Sequence, residues 1–539
     1  MTALAASEPE SVSGQAGWVL IAGIVLAAIT EAVASTVLSL GRGDIIGDTY
    51  ATPDQFAWLD IGYTALKLMG FIAAPWFIAR FNPRRLVLVS TLTMAAACLF
   101  AAFTVDLETL VALRVLQGFS GGILLVSGQT LLFLAYPRSQ QPFVQALFAM
   151  GSVVAPATLA PALQGWLLDN RSWTWIFFAN APIAIAAAGF LLMANERSLP
   201  PLPRRPFDLL GFVLLSGSLA CVAYICSQGS RWDWFEEPRI VWLTGAAAAA
   251  FLAFVARELA AGDRTLFDFG AFRTDDFTFA FVVSFVAGAA LFGSAFLIPS
   301  FAVSVLAFTP TDAGQLLFPS GGLFIAALVL AAFLMQAGKV PPIATVPFGI
   351  LLIMIAMWML SGSTSQSGSN DMMLAILLRG LGLGFLFLSI QLIAFCGLPN
   401  QSLASGIGLF NAGRQLGGLI GVAALQTLIE HHSAGNQAVL GAHITAGMPA
   451  VTERIATTTS MLVGRGMDAA AAGKAALMLL GRTVGVQSAV IAFDTAFNAI
   501  ALLFVVAAPL LIAIKIALSR AAKAHRGRSS KSEGTRLGR

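Results

Sequence analysis

Charge is what this chain most lacks: 11% of its 539 residues are Asp, Glu, Lys or Arg, where a globular protein carries about 25%. With 58% hydrophobic residues, that excludes an ordinary water-soluble domain and leaves a polytopic membrane protein. Cysteine is scarce too. Cys98, Cys221, Cys226 and Cys396 all fall inside apolar stretches, so neither a disulfide framework nor a CxxC metal site is expected. Of four histidines, His431, His432 and His443 lie in the longest loop and His525 in the basic tail. No apolar stretch therefore carries a histidine that could relay protons, and a membrane-embedded enzyme built on clustered His, Asp or Ser finds no such cluster. No cofactor or metal is expected. The first sixteen residues hold no Lys or Arg, so the first apolar run lacks the basic flank of a cleaved signal peptide and is expected to stay.

What the chain has in abundance is apolar runs of about 20 residues. They occur at 17–39, 55–79, 85–104, 108–134, 141–168, 173–193, 207–227, 239–258, 277–304, 311–336, 341–361, 371–397, 402–428 and 486–516, fourteen spans in all. An even number puts both termini on one side. Eleven basic residues (Arg80, Arg84, Arg85, Arg138, Arg197, Arg204, Arg205, Arg257, Arg264, Arg273 and Lys339) sit between even- and odd-numbered spans, against four (Arg42, Arg171, Arg231 and Arg239) in the alternate loops. The positive-inside rule makes the first side cytoplasmic. The tail at 518–539 adds seven Lys or Arg, a further positive-inside signal rather than a nucleic-acid arm.

Six ionisable residues, Glu31, Lys67, Arg114, Arg379, Arg414 and Asp494, interrupt those apolar runs. A charge at a membrane helix centre costs roughly 2.5 to 3.5 kcal/mol, so each needs a partner, a water-filled cavity or a function. At about 1.5 Å rise per residue, Glu31 lies about 12 Å below the outer end of its span, Lys67 about 18 Å and Asp60 about 7 Å below that of span 2. Asp60 and Lys67 are seven residues apart on one helix face, so a shared charged patch is expected, either as a proton site or as a static structural pair. Burial and an opposite charge act in opposite senses on a carboxyl, so breaking such a pair can move its proton affinity across the working pH. Arginine sets field and does not carry protons.

The segment LRVLQGFSGGILLVSGQTLLFLAYP (Leu113 to Pro137) places Arg114 before Gln117 and Gly118, with Gly121 and Gly122 following. It resembles the span-4 motif R-x-x-Q-G-x-x-x-G of the Major Facilitator Superfamily. Span 5, ALFAMGSVVAPATLAPALQGWLLDN, followed by RSWTWIFFANAPIAI, is similar to the superfamily's antiporter motif and its W-x-W-I-F-x-x-N-x-P signature. LLRGLGLGFLFLSIQLIA and ASGIGLFNAGRQLGGLIGVAALQT look like spans 12 and 13 of the fourteen-span drug:proton antiporters of EmrB/QacA type. The resemblance covers residues 17 to 516.

It implies an all-α major facilitator fold: a segment 1–16, a six-helix bundle at 17–193, two inserted helices at 207–258, and a second bundle at 277–516 carrying a periplasmic loop at 430–487. Substrate sites in such carriers lie at the midplane between the bundles. The implied proton-coupling residues are Glu31, Asp60, Lys67, Arg114 and Asp494. The implied cavity residues are Glu31, Tyr63, Lys67, Gln117, Arg379, Gln391, Asn411 and Arg414. The motif or gating positions are Arg80, Arg84, Arg85, Pro156, Pro161, Gly165 and Gly338. Thr30 stands where the family usually has an Asp, with Glu31 next to it; Pro75, Ala79 and Asn82 stand in the loop after span 2, which loses its usual acid and glycines. The expected activity is proton-coupled efflux of amphipathic small molecules across the inner membrane, with a periplasmic adaptor and an outer-membrane channel as expected partners. The loop at 430–487 reads as helical over 450–462 and 467–480, or as an extension of spans 13 and 14. An importer, an exporter of a metabolite, siderophore or lipid, a receptor and a channel remain alternatives.

Overall fold

The computed structural model describes residues 14–38, 40–194, 206–260, 269–445 and 447–536. Most of the expected segment 1–16, and Arg197, Arg204, Arg205, Arg264 and Arg539 of the expected basic loops and tail, lie outside the described residues.

Helices begin where the sequence offers a cap. Thr52 accepts from the Gln55 backbone N–H while the Gln55 side chain accepts from the Thr52 N–H, with Pro53 opening the helix; the side chains of Asn82, Asp106, Asp208 and Thr309 each accept from a backbone N–H at the start of another helix. Each cap satisfies N–H groups that lipid cannot. Thirteen stretches among the described residues are long and apolar enough to cross a membrane. Spans 1 to 6 are Gly17–Thr36, Pro53–Arg80, Pro83–Ala101, Leu107–Ala135, Arg138–Asn170 and Thr174–Met193. Spans 7 and 8 are Leu209–Gln228 and Pro238–Ala260. Spans 9 to 12 are Asp275–Ser304, Pro310–Gln336, Pro342–Leu360 and Ser369–Phe395, and span 14 is Ala469–Ala507.

Span 13 is the helix Asn400–Ala442. It is less apolar than the rest because Gly406, Gly408, Gly413, Gly417, Gly418 and Gly421 serve close packing, and Asn411 and Arg414 are buried inward. At Gly417 a Cβ would meet the Phe285 carbonyl oxygen of span 9 at 2.0 Å. Among the described residues this helix joins the thirteen more apolar stretches as the counterpart of the expected span 402–428.

Spans 1 to 6 pack mainly on one another, as do spans 9 to 14. Spans 7 and 8 form a hairpin lying against span 2, where Trp58 meets Tyr224 at 5.5 Å, and against span 13, where Trp234 Nε1 donates to Thr427 Oγ1 at 3.0 Å. At the other end of the hairpin Arg257 makes a bidentate pair with Asp208, whose carboxyl is held below the usual carboxylate range by those bonds.

The turns after spans 2, 4 and 10 share one face, called here the basic face; residues 430–468 stand on the opposite, long-loop face. There the helix of span 13 runs on to Ala442, a separate helix covers Pro449–Gly464, and the span-14 helix starts at Ala469 and continues through the bilayer to Arg536. Both expected readings of this region hold in part: it is helical, and most of it is the prolongation of spans 13 and 14. Span 5 departs from a regular helix over Met150–Leu159, where i→i+5 bonding replaces i→i+4 around Pro156. A proline lacks the N–H a regular helix requires, and such π segments favour functional positions.

Candidate functional site

Span 4 crosses span 2 backbone to backbone. A Cβ on Gly118 would lie 2.1 Å from the Tyr63 carbonyl oxygen, one on Gly122 2.4 Å from that of Lys67, and one on Gly70 2.5 Å from that of Phe119. This contact brings the side chains of Tyr63, Lys67 and Arg114 to a single depth against span 1.

There Lys67 Nζ lies 2.5 Å from Glu31 Oε1, and the Tyr63 hydroxyl donates to the same oxygen at 2.8 Å. Glu31 is 1% exposed and Lys67 6%. Gly121 leaves room for the carboxylate, since a Cβ would stand 3.0 Å from Glu31 Cγ. Arg114 Nη1 donates to the Ala34 carbonyl at 2.6 Å and to Gln117 Oε1 at 3.0 Å, and its guanidinium lies 4.1 Å above the Tyr63 ring centroid. The group forms one connected unit: a carboxylate, an ammonium, a phenol and a guanidinium, all shielded from water. Thr30, at the family's acidic position, turns its hydroxyl back to the Ala27 carbonyl, and its own carbonyl accepts from Asn180 Nδ2 at 3.0 Å. Glu31 therefore occupies the position facing Tyr63 and Lys67.

The other expected charges divide. Asp60 sits at the outer rim of the group, exposed, close enough for its charge to interact with Arg114 and Lys67 but in no ion pair among the described residues. Arg414 donates to Asn411 Oδ1 at 2.8 Å, lies 5.9 Å from the Phe387 ring centroid, and interacts electrostatically with Glu31 from the opposite bundle. Arg379 is fully buried and donates to Ser294 Oγ at 2.7 Å, with no acid in an ion pair with it among the described residues. Asp494 is half-buried in span 14, beside the Phe301, Phe493 and Phe497 cluster, and is not brought to Glu31. Gln391 is buried in span 12.

The bundles touch on both faces of this group. On the long-loop face Thr311 N donates to Asp169 Oδ2 at 2.9 Å, and Cβ atoms on Gly165 and Gly314 would meet the Pro310 and Pro161 carbonyl oxygens at 2.3 and 2.4 Å. Pro161 and Gly165 thus form the crossing of spans 5 and 10, while Pro156 sits in the π segment. On the basic face Phe133 meets Phe395 at 5.5 Å and Phe395 meets Phe410 at 4.9 Å. In the turn after span 2, Arg80 stacks on Trp76 at 4.0 Å and Arg84 donates to the Ala194 carbonyl; Arg85 lies beside them on span 3. Gly338 follows the end of span 10, just before Lys339 at φ 52°.

Sequence reasoning missed Gln129, Gln141, Gln145, Gln164 and Asn180, all buried and hydrogen-bonded between helices. The signal was available: an amide inside an apolar span must find a partner, as a charge must. Replacing Lys67 by Ala is expected to shift the pH dependence of substrate binding, read by fluorescence titration of purified protein; an unchanged profile leaves Lys67 a structural role only.

A family model described as Major Facilitator Superfamily matches residues 19–422. Among curated proteins, Multidrug export protein EmrB of Haemophilus influenzae is 28% identical over 437 residues, 80% of this chain and 84% of that protein. Multidrug export protein EmrB of Escherichia coli K12 is 27% identical over 406 residues, 75% of this chain and 78% of that protein. Fatty acid resistance protein FarB of Neisseria gonorrhoeae is 26% identical over 501 residues, covering 92% and 95%. Among solved structures, a bacterial homologue of the human lysosomal transporter Spinster, in an inward-facing and unoccupied conformation, superposes with TM-score 0.57 at 14% identity, covering 95% of this chain and 99% of that one.

Proposed function

The chain belongs to the Major Facilitator Superfamily, and on that premise we propose that it exports amphipathic small molecules in exchange for protons, by alternating access between its two six-helix bundles. It is a secondary transporter, multi-pass in a bacterial inner membrane.

The observation that carries the proton-coupled reading is the shared oxygen: Glu31 Oε1 accepts from both Lys67 and Tyr63 inside a buried group, with contacts between the bundles on either face of it. A proton on that carboxylate removes the attraction for Lys67, so protonation and pairing exclude each other at one atom. When the outer seal opens, Glu31 takes a proton; when the inner seal opens, it releases it, and the re-formed pair accompanies substrate binding. Arg114 holds Tyr63 and the end of span 1 in register and adds positive field without titrating. Both termini and the basic face lie in the cytoplasm in this reading, following the Lys/Arg bias of the loops.

The long-loop face presents Val439, Met461 and Met467, each between 41% and 60% exposed, on the helical region that joins spans 13 and 14. That apolar surface suits a periplasmic adaptor leading to an outer-membrane channel. Deleting residues 444–468 is then expected to abolish resistance in cells while leaving transport in liposomes within about twofold of wild type; equal loss in both would sink the adaptor role. Growth of a pump-deficient bacterium expressing the chain, against a compound panel, tests export itself: protection from no compound contradicts it.

A further inference from the structure

The loop after span 2 lacks the acid that would latch the basic face by ion pairs, yet the bundles are closed there. A second polar feature spans the same seal. Arg414 Nη2 donates to Asn411 Oδ1 (2.8 Å), Asn411 Nδ2 to Gln129 Oε1 (3.3 Å), Gln129 Nε2 to Gln145 Oε1 (3.2 Å) and Gln145 Nε2 to Gln141 Oε1 (3.2 Å). Gln141 Nε2 ends the series on the carbonyls of Tyr136 (2.8 Å) and Phe133 (3.2 Å), at the close of span 4. All five side chains are at least 94% buried.

Every donor in the series points the same way. It starts on the Arg414 guanidinium, whose charge interacts with Glu31, and finishes at the carbonyl end of a helix, the negative pole of that helix's dipole. Hydrogen bonds so aligned polarise one another, and in a low-dielectric interior breaking the Asn411 to Gln129 bond takes that donor from the Gln129 oxygen, while Asn411 Nδ2 keeps its bond to the Ile407 carbonyl at 2.9 Å. Helix periodicity builds the register: Asn411 and Arg414 are three apart on span 13, Gln141 and Gln145 four apart on span 5. One link, Asn411 to Gln129, crosses between bundles, next to the Phe133, Phe395 and Phe410 cluster.

We infer that this amide series is the latch of the basic face, with Gln129 and Asn411 as positioning residues that hold the bundles together there in place of an acid-bearing turn. The inference rests on the two-bundle transport reading above. Its consequence is that separation of the bundles on this face requires the Asn411 to Gln129 bond to break, whereas the bonds within each bundle persist.

The test uses Cys396, partly buried at the end of span 12 beside Phe395, as a native reporter. In the full-length protein in nanodiscs, labelling of Cys396 by a membrane-impermeant maleimide is followed by peptide mass spectrometry. Gln129→Leu and Asn411→Leu are each expected to raise its labelling rate about three- to tenfold, the range one net hydrogen bond supports. The double variant should do no more than either alone, and the exchanged pair Gln129→Asn with Asn411→Gln should return the rate toward wild type. Unchanged labelling, or fully additive effects, overturns the latch. Should a Leu variant fold poorly, Asn411→Ala removes the Nδ2 donor to Gln129 without adding bulk, and the same increase is expected. Because labelling needs no substrate, failure of the latch is separable from failure of proton-coupled export, which a transport assay on the wild-type chain decides.

Discussion

Glu31→Gln is expected to abolish pH-gradient-driven transport, by about 100-fold or more, while leaving the protein folded and inserted. Gln keeps the size of Glu and an oxygen that can still accept from Tyr63, so the packing near Gly121 survives. What it removes is the negative charge 2.5 Å from Lys67 and any site for a proton. Losing one partner of a buried pair is destabilising because the other charge is left uncompensated, so the melting temperature should fall by a few degrees. Downhill exchange of labelled substrate across the membrane, which needs no net proton movement, should persist. Full gradient-driven transport by this variant in proteoliposomes would eliminate Glu31 as the coupling site.

Gly118→Ala should have the largest effect on the fold. Its new methyl would stand 2.1 Å from the Tyr63 carbonyl oxygen, a backbone atom that cannot swing aside as a side-chain tip can. Spans 2 and 4 must then separate, and with them Tyr63, Lys67 and Arg114. Overpacking costs about 1 to 3 kcal/mol in cores that can adjust; here the adjustment involves two whole helices, so the yield of monodisperse protein should drop about tenfold. Gly417→Ala should behave alike, with the Phe285 carbonyl at 2.0 Å, whereas Gly189→Ala, with open space around its Cβ position, should be silent. Size-exclusion profiles and melting curves of the three variants decide it, and a wild-type profile for Gly118→Ala would contradict the crossing.

These residues also mark what the sequence could and could not convey. The spans were legible because lipid leaves each helix a uniform apolar signature, and the boundaries followed caps such as Thr52 and Asp106. Span 13 was found as the apolar run 402–428, although its glycines and Arg414, which serve packing and the interior, leave it less apolar than the other spans. The seven-residue spacing put Asp60 on the face of Lys67 and yet leaves it exposed at the rim, in no ion pair among the described residues, whereas the Glu31 and Lys67 pair was legible from depth. The Tyr63 hydroxyl as its third member was not, since a phenol within hydrogen-bond reach depends on how closely spans 1 and 2 approach. Asp494 lies in the last span, where its resemblance to a family position put it, beside an aromatic cluster; depth gives no information about the direction in which a helix faces. The amide series was passed over because each Gln is unremarkable by itself; their alignment exists only once spans 4, 5 and 13 are packed.

The central claim is that protons move against substrate through the Glu31 group. Purified wild-type protein in liposomes loaded with a pH-sensitive dye, with a compound from the resistance panel placed on the side opposite an imposed proton gradient, tests it most directly. The expected result is proton movement that begins on adding substrate, runs opposite to it, and vanishes in Glu31→Gln. Substrate transport at the wild-type rate without any proton movement would contradict the account.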